Sequence, residues 1–391
     1  MGPVPMIYLD HAATTPLSPE VRAAIEPFLG ESFGNPSSRH PLGVEAARAI
    51  ERAREQIAFA LGALDPERIY FTAGGTEANN LGVLGAARTR KRKGRHLLLG
   101  PTEHPSVRAA VQALESSGFE KEMLALRPGG ALDLERAKQS LRNDTVLVAQ
   151  MAVNNEFGSR YPIEELSELV RRNAPNAHLH VDAVQAIGKI PLSLLELNPD
   201  SLALSGHKLH GLKGAGALVL REEVRLTPLV FGGGQEGDVR PGTENVVGIV
   251  ALGAAVESAV RVVEGTHGRL GDLRKKLAAE LSALPGCELL APDGGGPGGL
   301  SPAIAAVRMP GPPAEVWMHH LEQLGVYTSV GSACQSRTKR VSPGLSALGL
   351  DERSGRQVLR FSFSTTTSAD EIRGAGAALF RVAGELRVRV S

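Results

Sequence analysis

Phe71-Thr72-Ala73-Gly74-Gly75-Thr76-Glu77-Ala78-Asn79-Asn80 joins an apolar run, 69–71, to a segment that opens a helix. A turn of this kind leaves unpaired backbone N–H groups at the helix start, and the Thr76 hydroxyl converges with them where an anion such as phosphate would bind. The plainer reading is a glycine-rich turn that only reverses the chain, since short glycine motifs recur widely. The same pattern repeats outward from this stretch. Apolar runs at 96–99, 146–151, 178–181, 202–204 and 217–220 are each followed by polar or glycine-rich residues and alternate with longer helical patterns. That alternation predicts an α/β protein with a mostly parallel sheet covered by helices on both faces. Ligands in such sheets sit at the carboxyl ends of the strands, where the polar residues fall.

Beyond about residue 262 the pattern changes. Glycines at 265–271 and a Gly-Pro cluster at 291–302 punctuate the chain. They introduce a smaller α+β unit with a strand at 303–309, a helix at 313–324 and a strand at 357–363. A last helix is opened by the capping-box pair Ser368 and Glu371. Two domains are therefore expected, a large one at 15–262 and a small one made of 1–14 and 263–391.

The 391 residues carry 43 basic and 42 acidic side chains, with neither sign collected into a tail suited to nucleic acid or a membrane surface. Aromatic content is 4% against 45 glycines, a balance that suits many strand-to-helix turns better than base stacking. Cys287 and Cys334 are the only cysteines, too few and too far apart for a disulfide framework, which suggests a reducing compartment. Residues 1–10 lack the pattern of a secretory signal, and no apolar run reaches membrane-spanning length. The expectation is a soluble, cytoplasmic enzyme acting on small molecules, with no direct nucleic-acid or membrane partner.

Several further residues are able to carry chemistry. Ser201-Leu202-Ala203-Leu204-Ser205-Gly206-His207-Lys208 is an apolar strand ending in small polar groups and a lysine. Lysine is the usual covalent anchor for pyridoxal 5'-phosphate (PLP), and Ser205 and His207 are placed to donate to a phosphate. In His178-Leu179-His180-Val181-Asp182, strand alternation sends both histidines and the aspartate to one face. Such a set suits either a hydrolytic metal site, which would recruit His104 or His207, or a buried carboxylate against a pyridinium nitrogen. His104, before Pro105, either lies over a flat cofactor and moves protons or simply begins a helix. Asn154-Asn155 reads equally as a turn. Cys334 lies among small and polar residues with Arg337, Lys339 and Arg340 nearby to favour its thiolate, whereas Cys287 reads as a core thiol. Arg360 is a lone guanidinium in an apolar strand and requires an anion, either a substrate carboxylate or a structural partner.

These segments together resemble the cysteine desulfurases of PLP fold type I, in the aminotransferase class V group and the nitrogen-fixation and iron–sulfur-cluster branch. The resemblance runs nearly end to end. It is carried in order by Tyr8-Leu9-Asp10-His11-Ala12-Ala13-Thr14-Thr15-Pro16, Gly34-Asn35-Pro36-Ser37-Ser38 with His40, Thr76-Glu77-Ala78-Asn79-Asn80, Thr102-Glu103-His104, Asp182 with Gln185, Ser205-Gly206-His207-Lys208, Arg240-Pro241-Gly242-Thr243-Glu244-Asn245 and Gly331-Ser332-Ala333-Cys334.

The resemblance implies roles for these residues. Lys208 joins PLP covalently, Asp182 keeps its ring nitrogen protonated, and His104 stacks on the ring and helps move protons. Gln185 and Asn155 reach the ring oxygen. Gly75, Thr76, Ser205 and His207 grip the phosphate, with Thr243 supplied across a homodimer interface. Arg360 holds the substrate carboxylate, assisted by Asn155. The implied reaction converts L-cysteine to L-alanine and leaves the sulfur on Cys334 as a persulfide, for transfer to a protein acceptor such as an iron–sulfur scaffold. The cysteine loop departs from the family pattern at Val330, Arg337, Lys339 and Arg340, and the basic residues suggest an acidic acceptor surface. The rival readings are a selenocysteine lyase, aminotransferase or epimerase of the same group, a metal-dependent hydrolase built on His178, His180 and Asp182, and a non-catalytic sulfur carrier.

Overall fold

The computed structural model describes residues 6–62, 65–290, 299–331 and 341–388. Seven strands form the main sheet: β1 (Ile69–Thr72), β2 (His96–Leu99), β3 (Glu120–Met123), β4 (Thr145–Met151), β5 (His178–Asp182), β6 (Ser201–Ser205) and β7 (Gly216–Leu220). Their order is β1-β7-β6-β5-β4-β2-β3. Neighbours from β3 to β6 are parallel, whereas β7 runs antiparallel to both β6 and β1. Every residue of β1, β2 and β4 to β7 is buried, which explains why most of these strands read as apolar runs, whereas β5, His-Leu-His-Val-Asp, alternates. The sheet is the α/β arrangement expected from the sequence. β3 was not expected there: Glu-Lys-Glu-Met is a mostly exposed edge strand and carries no apolar pattern.

Helix Pro41–Leu61 packs against helix Val246–Arg261. Gly253 permits the crossing, since a Cβ there would stand 2.8 Å from Ala53 Cα. The core on this side includes Ile57, Ile69, Val148, Val181, Leu204 and Leu252.

A second core gathers Leu9, Leu273, Ile304, Trp317, Phe361 and Leu379. It lies on an antiparallel sheet of β8 (Glu288–Leu289), β9 (Ile304–Arg308), β10 (Ser329–Val330) and β11 (Val358–Ser362), in the order β10-β11-β9-β8. Ile7–Tyr8 pairs in parallel with Val326–Tyr327, which draws the start of the chain into this core. The closing helix, Ala369–Glu385, has the expected capping box: Glu371 N donates to Ser368 Oγ at 3.1 Å, and Ser368 N to Glu371 Oε2 at 2.7 Å. Helices Val246–Arg261 and Val263–Ser282 meet at a 72° bend. Among the described residues, no single helix is long and apolar enough to cross a membrane.

Candidate active site

The carboxyl ends of β4, β5 and β6 open into a cavity of about 1120 Å³ whose far wall comes from β10 and β11. The predicted residues Gly75, Thr76, His104 and Asn155 line it, as do Asp182, Gln185, Ser205, His207, Lys208 and Arg360. Thr243 is exposed and does not line this cavity. Cys334, with Arg337, Lys339 and Arg340, lies outside the described residues.

Asp182 is fixed from behind by a chain of hydrogen bonds along the face that strand alternation predicts. Asn79 Nδ2 donates to Asp182 Oδ2 at 2.7 Å and to Ser106 Oγ at 2.9 Å, and Val184 N donates to Asp182 Oδ1 at 3.0 Å. With both Asn79 hydrogens used, its Oδ1 accepts from His180 Nε2 at 2.9 Å, so the His180 proton sits on Nε2. His180 Nδ1 then accepts from Ser201 Oγ at 2.8 Å, and Ser201 Oγ accepts from His178 Nε2 at 2.6 Å. Burial holds both rings neutral, pushing His178 far down and His180 to about 3. Thus the His178-x-His180 pair supports the carboxylate through Ser201 and Asn79. Among the described residues, no three His, Cys, Asp or Glu side chains converge as a ligand set for a metal.

The same logic sets the His104 proton. Ser106 N and Ser106 Oγ both approach His104 Nδ1, at 3.2 and 2.8 Å, so Nδ1 accepts and the neutral ring carries its proton on Nε2. Burial lowers the His104 pKa, opposed by Asp182 and reinforced by Lys208. His104 is therefore both a wall of the cavity and the N-cap of helix Pro105–Glu115.

The turn at Gly74 brings the start of helix Gly75–Asn80 against β6. Gly74 has φ +148°, a conformation side chains rarely adopt, and a Cβ on Gly75 would meet Val184 Cγ2 at 2.9 Å. Lys208 follows β6 in a short helical turn, Gly206–Lys208, and its Nζ donates to the carbonyls of Ala12 and Ala13, each at 2.6 Å. His207 Nδ1 lies 3.2 Å from Thr14 Oγ1, and burial holds its pKa down at about 4. Gln185 Nε2 donates to the Ala12 carbonyl at 2.9 Å.

On the far wall, Arg360 pairs with Asp10 at 2.8 Å and donates to the Asn155 carbonyl at 2.9 Å. Its Nε is buried and without a hydrogen-bond partner among the described residues. The guanidinium thus has the structural anion that was one of the two sequence readings, and it also faces the cavity. Beside it, burial raises Glu156 to about 7 against a hydrogen bond from Ser342 Oγ and the charges of Arg360 and Arg108. Gly331 lines the cavity and Ser342 contacts one of its lining residues, so both described flanks of 332–340 stand at this wall. Cys287 is half-buried and packs at the edge of the second core, where burial raises its thiol to about 11, as a structural cysteine requires.

Sequence reasoning left four contributors without a role: Asn79, Asp10, Glu156 and Lys189. Asn79 was visible within the glycine-turn motif and Asp10 within the first motif of the resemblance. Lys189 lies in the turns after β5, beyond Gly188 at φ +68°, and no regular spacing marks it.

The chain belongs to the aminotransferase class-V family, which it matches over residues 7–374. Members of that family depend on PLP. Among its curated relatives is the cysteine desulfurase IscS of Dictyoglomus turgidum, 39% identical over 383 residues, or 97% of this chain and 95% of the relative. The IscS of Methanosarcina thermophila is 38% identical over 94% of this chain and 89% of its own. A solved structure named NifS-like protein superposes with a TM-score of 0.90 at 32% identity, covering 97% of this chain and all of the other.

Proposed function

We propose that this chain is a PLP-dependent cysteine desulfurase that converts L-cysteine to L-alanine and passes the sulfur to its own Cys334 as a persulfide. The observation that carries the proposal is the meeting, in one cavity, of the Lys208 amine, the Asp182 carboxylate held by Asn79, and the Arg360 guanidinium. These residues fit PLP by their chemistry. Asp182 is a buried acceptor suited to a protonated ring nitrogen, and the glycine turn with Thr76, Ser205 and His207 suits a phosphate. His104 offers a ring for the flat face, and Gln185 and Asn155 suit the ring oxygen. When bound, PLP supplies an electron sink that makes the substrate's α-proton and Cβ–S bond labile.

The chain's own groups do the rest. Arg360 orients the substrate carboxylate, assisted by Asn155, and Lys208 Nζ, besides anchoring the cofactor, takes and returns the α-proton. Neutral His104, with its proton on Nε2, stands over the cavity as a second donor. Cys334 Sγ, as thiolate, forms the new S–S bond while the Cβ–S bond breaks and alanine leaves. The proposal includes a homodimer in which Thr243 completes the partner's phosphate site. Its support is the exposure of Thr243 and of Phe231, 83% exposed, on a segment held beside the glycine turn by the Arg240–Glu77 pair at 2.9 Å. The division into 15–262 on one side and 1–14 with 263–391 on the other is proposed with it, supported by the two separate cores. A protein sulfur acceptor, such as an iron–sulfur scaffold, and a cytoplasmic location complete the reading.

The test is the absorption spectrum of purified protein supplied with PLP, before and after L-cysteine, with alanine assayed in the same tube. The expected result is a visible band that changes on adding cysteine while alanine accumulates. Protein that stays colourless, or forms no alanine, overturns the proposal.

A further inference from the structure

Among the described residues, the groups assigned above leave one buried lysine without a task. Lys189 is 7% exposed, and its Nζ donates to Gln185 Oε1 at 2.5 Å. It lies four residues after Gln185 in the turns that leave β5, beyond Gly188 at φ +68°, where Ile187 N bonds to the Ala183 carbonyl and Lys189 N to that of Ala186. A methionine of similar size would avoid the desolvation that this charge suffers. Lys208, Arg360, His11, His207 and His210 are ionisable groups around it, and His267 Nδ1 lies 3.3 Å from its carbonyl. Burial first, and Lys208 and Arg360 next, push its pKa down to about 7.

The chemistry of the pair fixes which end of the Gln185 amide faces the cavity. The oxygen and NH2 of a glutamine have nearly the same shape, so only partners decide between its two orientations. In its charged form Lys189 donates and cannot accept, which places the amide oxygen on the Lys189 side. The Ala12 carbonyl accepts and cannot donate, which demands Nε2 on the other. Both constraints agree, and Lys189 imposes the one that does not depend on the cavity.

We propose that Lys189 is a positioning residue that, while charged, holds the Gln185 amide with its NH2 toward the cavity, so that Gln185 meets the cofactor's ring oxygen as a donor. The proposal rests on the reading that PLP occupies this cavity. A donor at that oxygen stabilises its negative charge. The proton shared between the oxygen and the lysine-linked nitrogen is therefore released at a lower pH than it would be without the donor.

The experiment titrates the visible absorption of the PLP-loaded protein against pH in the parent, Lys189→Met, Gln185→Ala and the double variant, with PLP content measured for each. Lys189→Met is expected to keep its PLP and move the midpoint up by about one pH unit, the size of a lost hydrogen bond to a charged group. Lys189→Gln, which retains a donor, should return the midpoint most of the way. In the Gln185→Ala background, Lys189→Met should add nothing further. An unmoved midpoint in Lys189→Met overturns the proposal. So does a further shift in the double variant, because the lysine would then act through its charge rather than through Gln185. Should Lys189→Met not accumulate as folded protein, Lys189→Leu replaces it under the same expectation. Failure of the underlying PLP reading is seen separately, as a parent protein without colour or a Lys208→Ala variant that keeps the parent's band.

Discussion

The two walls of the cavity are built differently. The floor, from β4 to β6 and the helix after β1, is wired within itself: His178, Ser201, His180 and Asn79 converge on Asp182 through bonds of 2.6–2.9 Å. The far wall is assembled across the chain. Arg360 reaches Asp10 and the Asn155 carbonyl, and Glu156 is met by Ser342. A self-wired floor holds its charge in place whatever the second core does. The Arg360–Asp10 pair is made within the second core, whereas the contacts to the Asn155 carbonyl and to Glu156 hold only while the two cores stay docked, and the proposed substrate contact belongs to that wall.

Substitutions can break or sharpen this contrast. Lys208→Ala, at the floor, is expected to abolish cysteine turnover and the covalent PLP band while leaving the fold intact, as circular dichroism would show. Arg360→Leu strikes the wall and should leave PLP absorbance in place while raising KM for cysteine by roughly 100-fold, the loss of a charged hydrogen-bonded contact. Steady-state kinetics beside the spectrum separates the two effects.

Glu156→Gln tests the wall through pH. The folded midpoint of Glu156, about 7, lies above the ordinary carboxyl value of 4.5. Stability tied to its neutral form is therefore complete below pH 4.5, falls as pH rises, and is lost above pH 7. The glutamine variant should match the parent near pH 4.5 and exceed it by up to about 3 kcal/mol at pH 8. Urea midpoints at the two pH values check this. The smallest effect is expected at the floor: Asn79→Ala removes one donor from Asp182 and should lower stability by about 2 kcal/mol. Because Val184 N still donates to Asp182, PLP binding should survive, which a titration with PLP would measure.

The contrast also explains what the sequence made legible. The buried strands at 96–99 and 202–204 announce themselves because both faces are covered, and the polar residues at their ends mark the floor. Lys208, Asp182 and His104 are legible for that reason, since each lies within a few residues of a strand end or helix start. β3 is not, because an exposed edge needs no apolar residues. The partner of Arg360 was equally hidden, for Asp10 stands 350 positions away and only the docking of the chain's start onto β11 within the second core brings it near. Lys189 escaped notice because a lysine reads as a surface charge until its burial is known. Thr243 is legible only through the resemblance, since nothing in its own chain gives it a place at the cavity.

The antiparallel course of β7 has a consequence for the turn that carries Lys208. Only residues 209–215 separate that lysine from a strand clasped on both sides, by β6 and by β1. Adding or deleting one residue outside the exposed turn at Lys213 and Gly214 has little slack to draw on. It would step β7 along two ladders at once, turning its inward side chains outward, or drag the amine off its mark. This short span therefore sets the distance between the amine and β7.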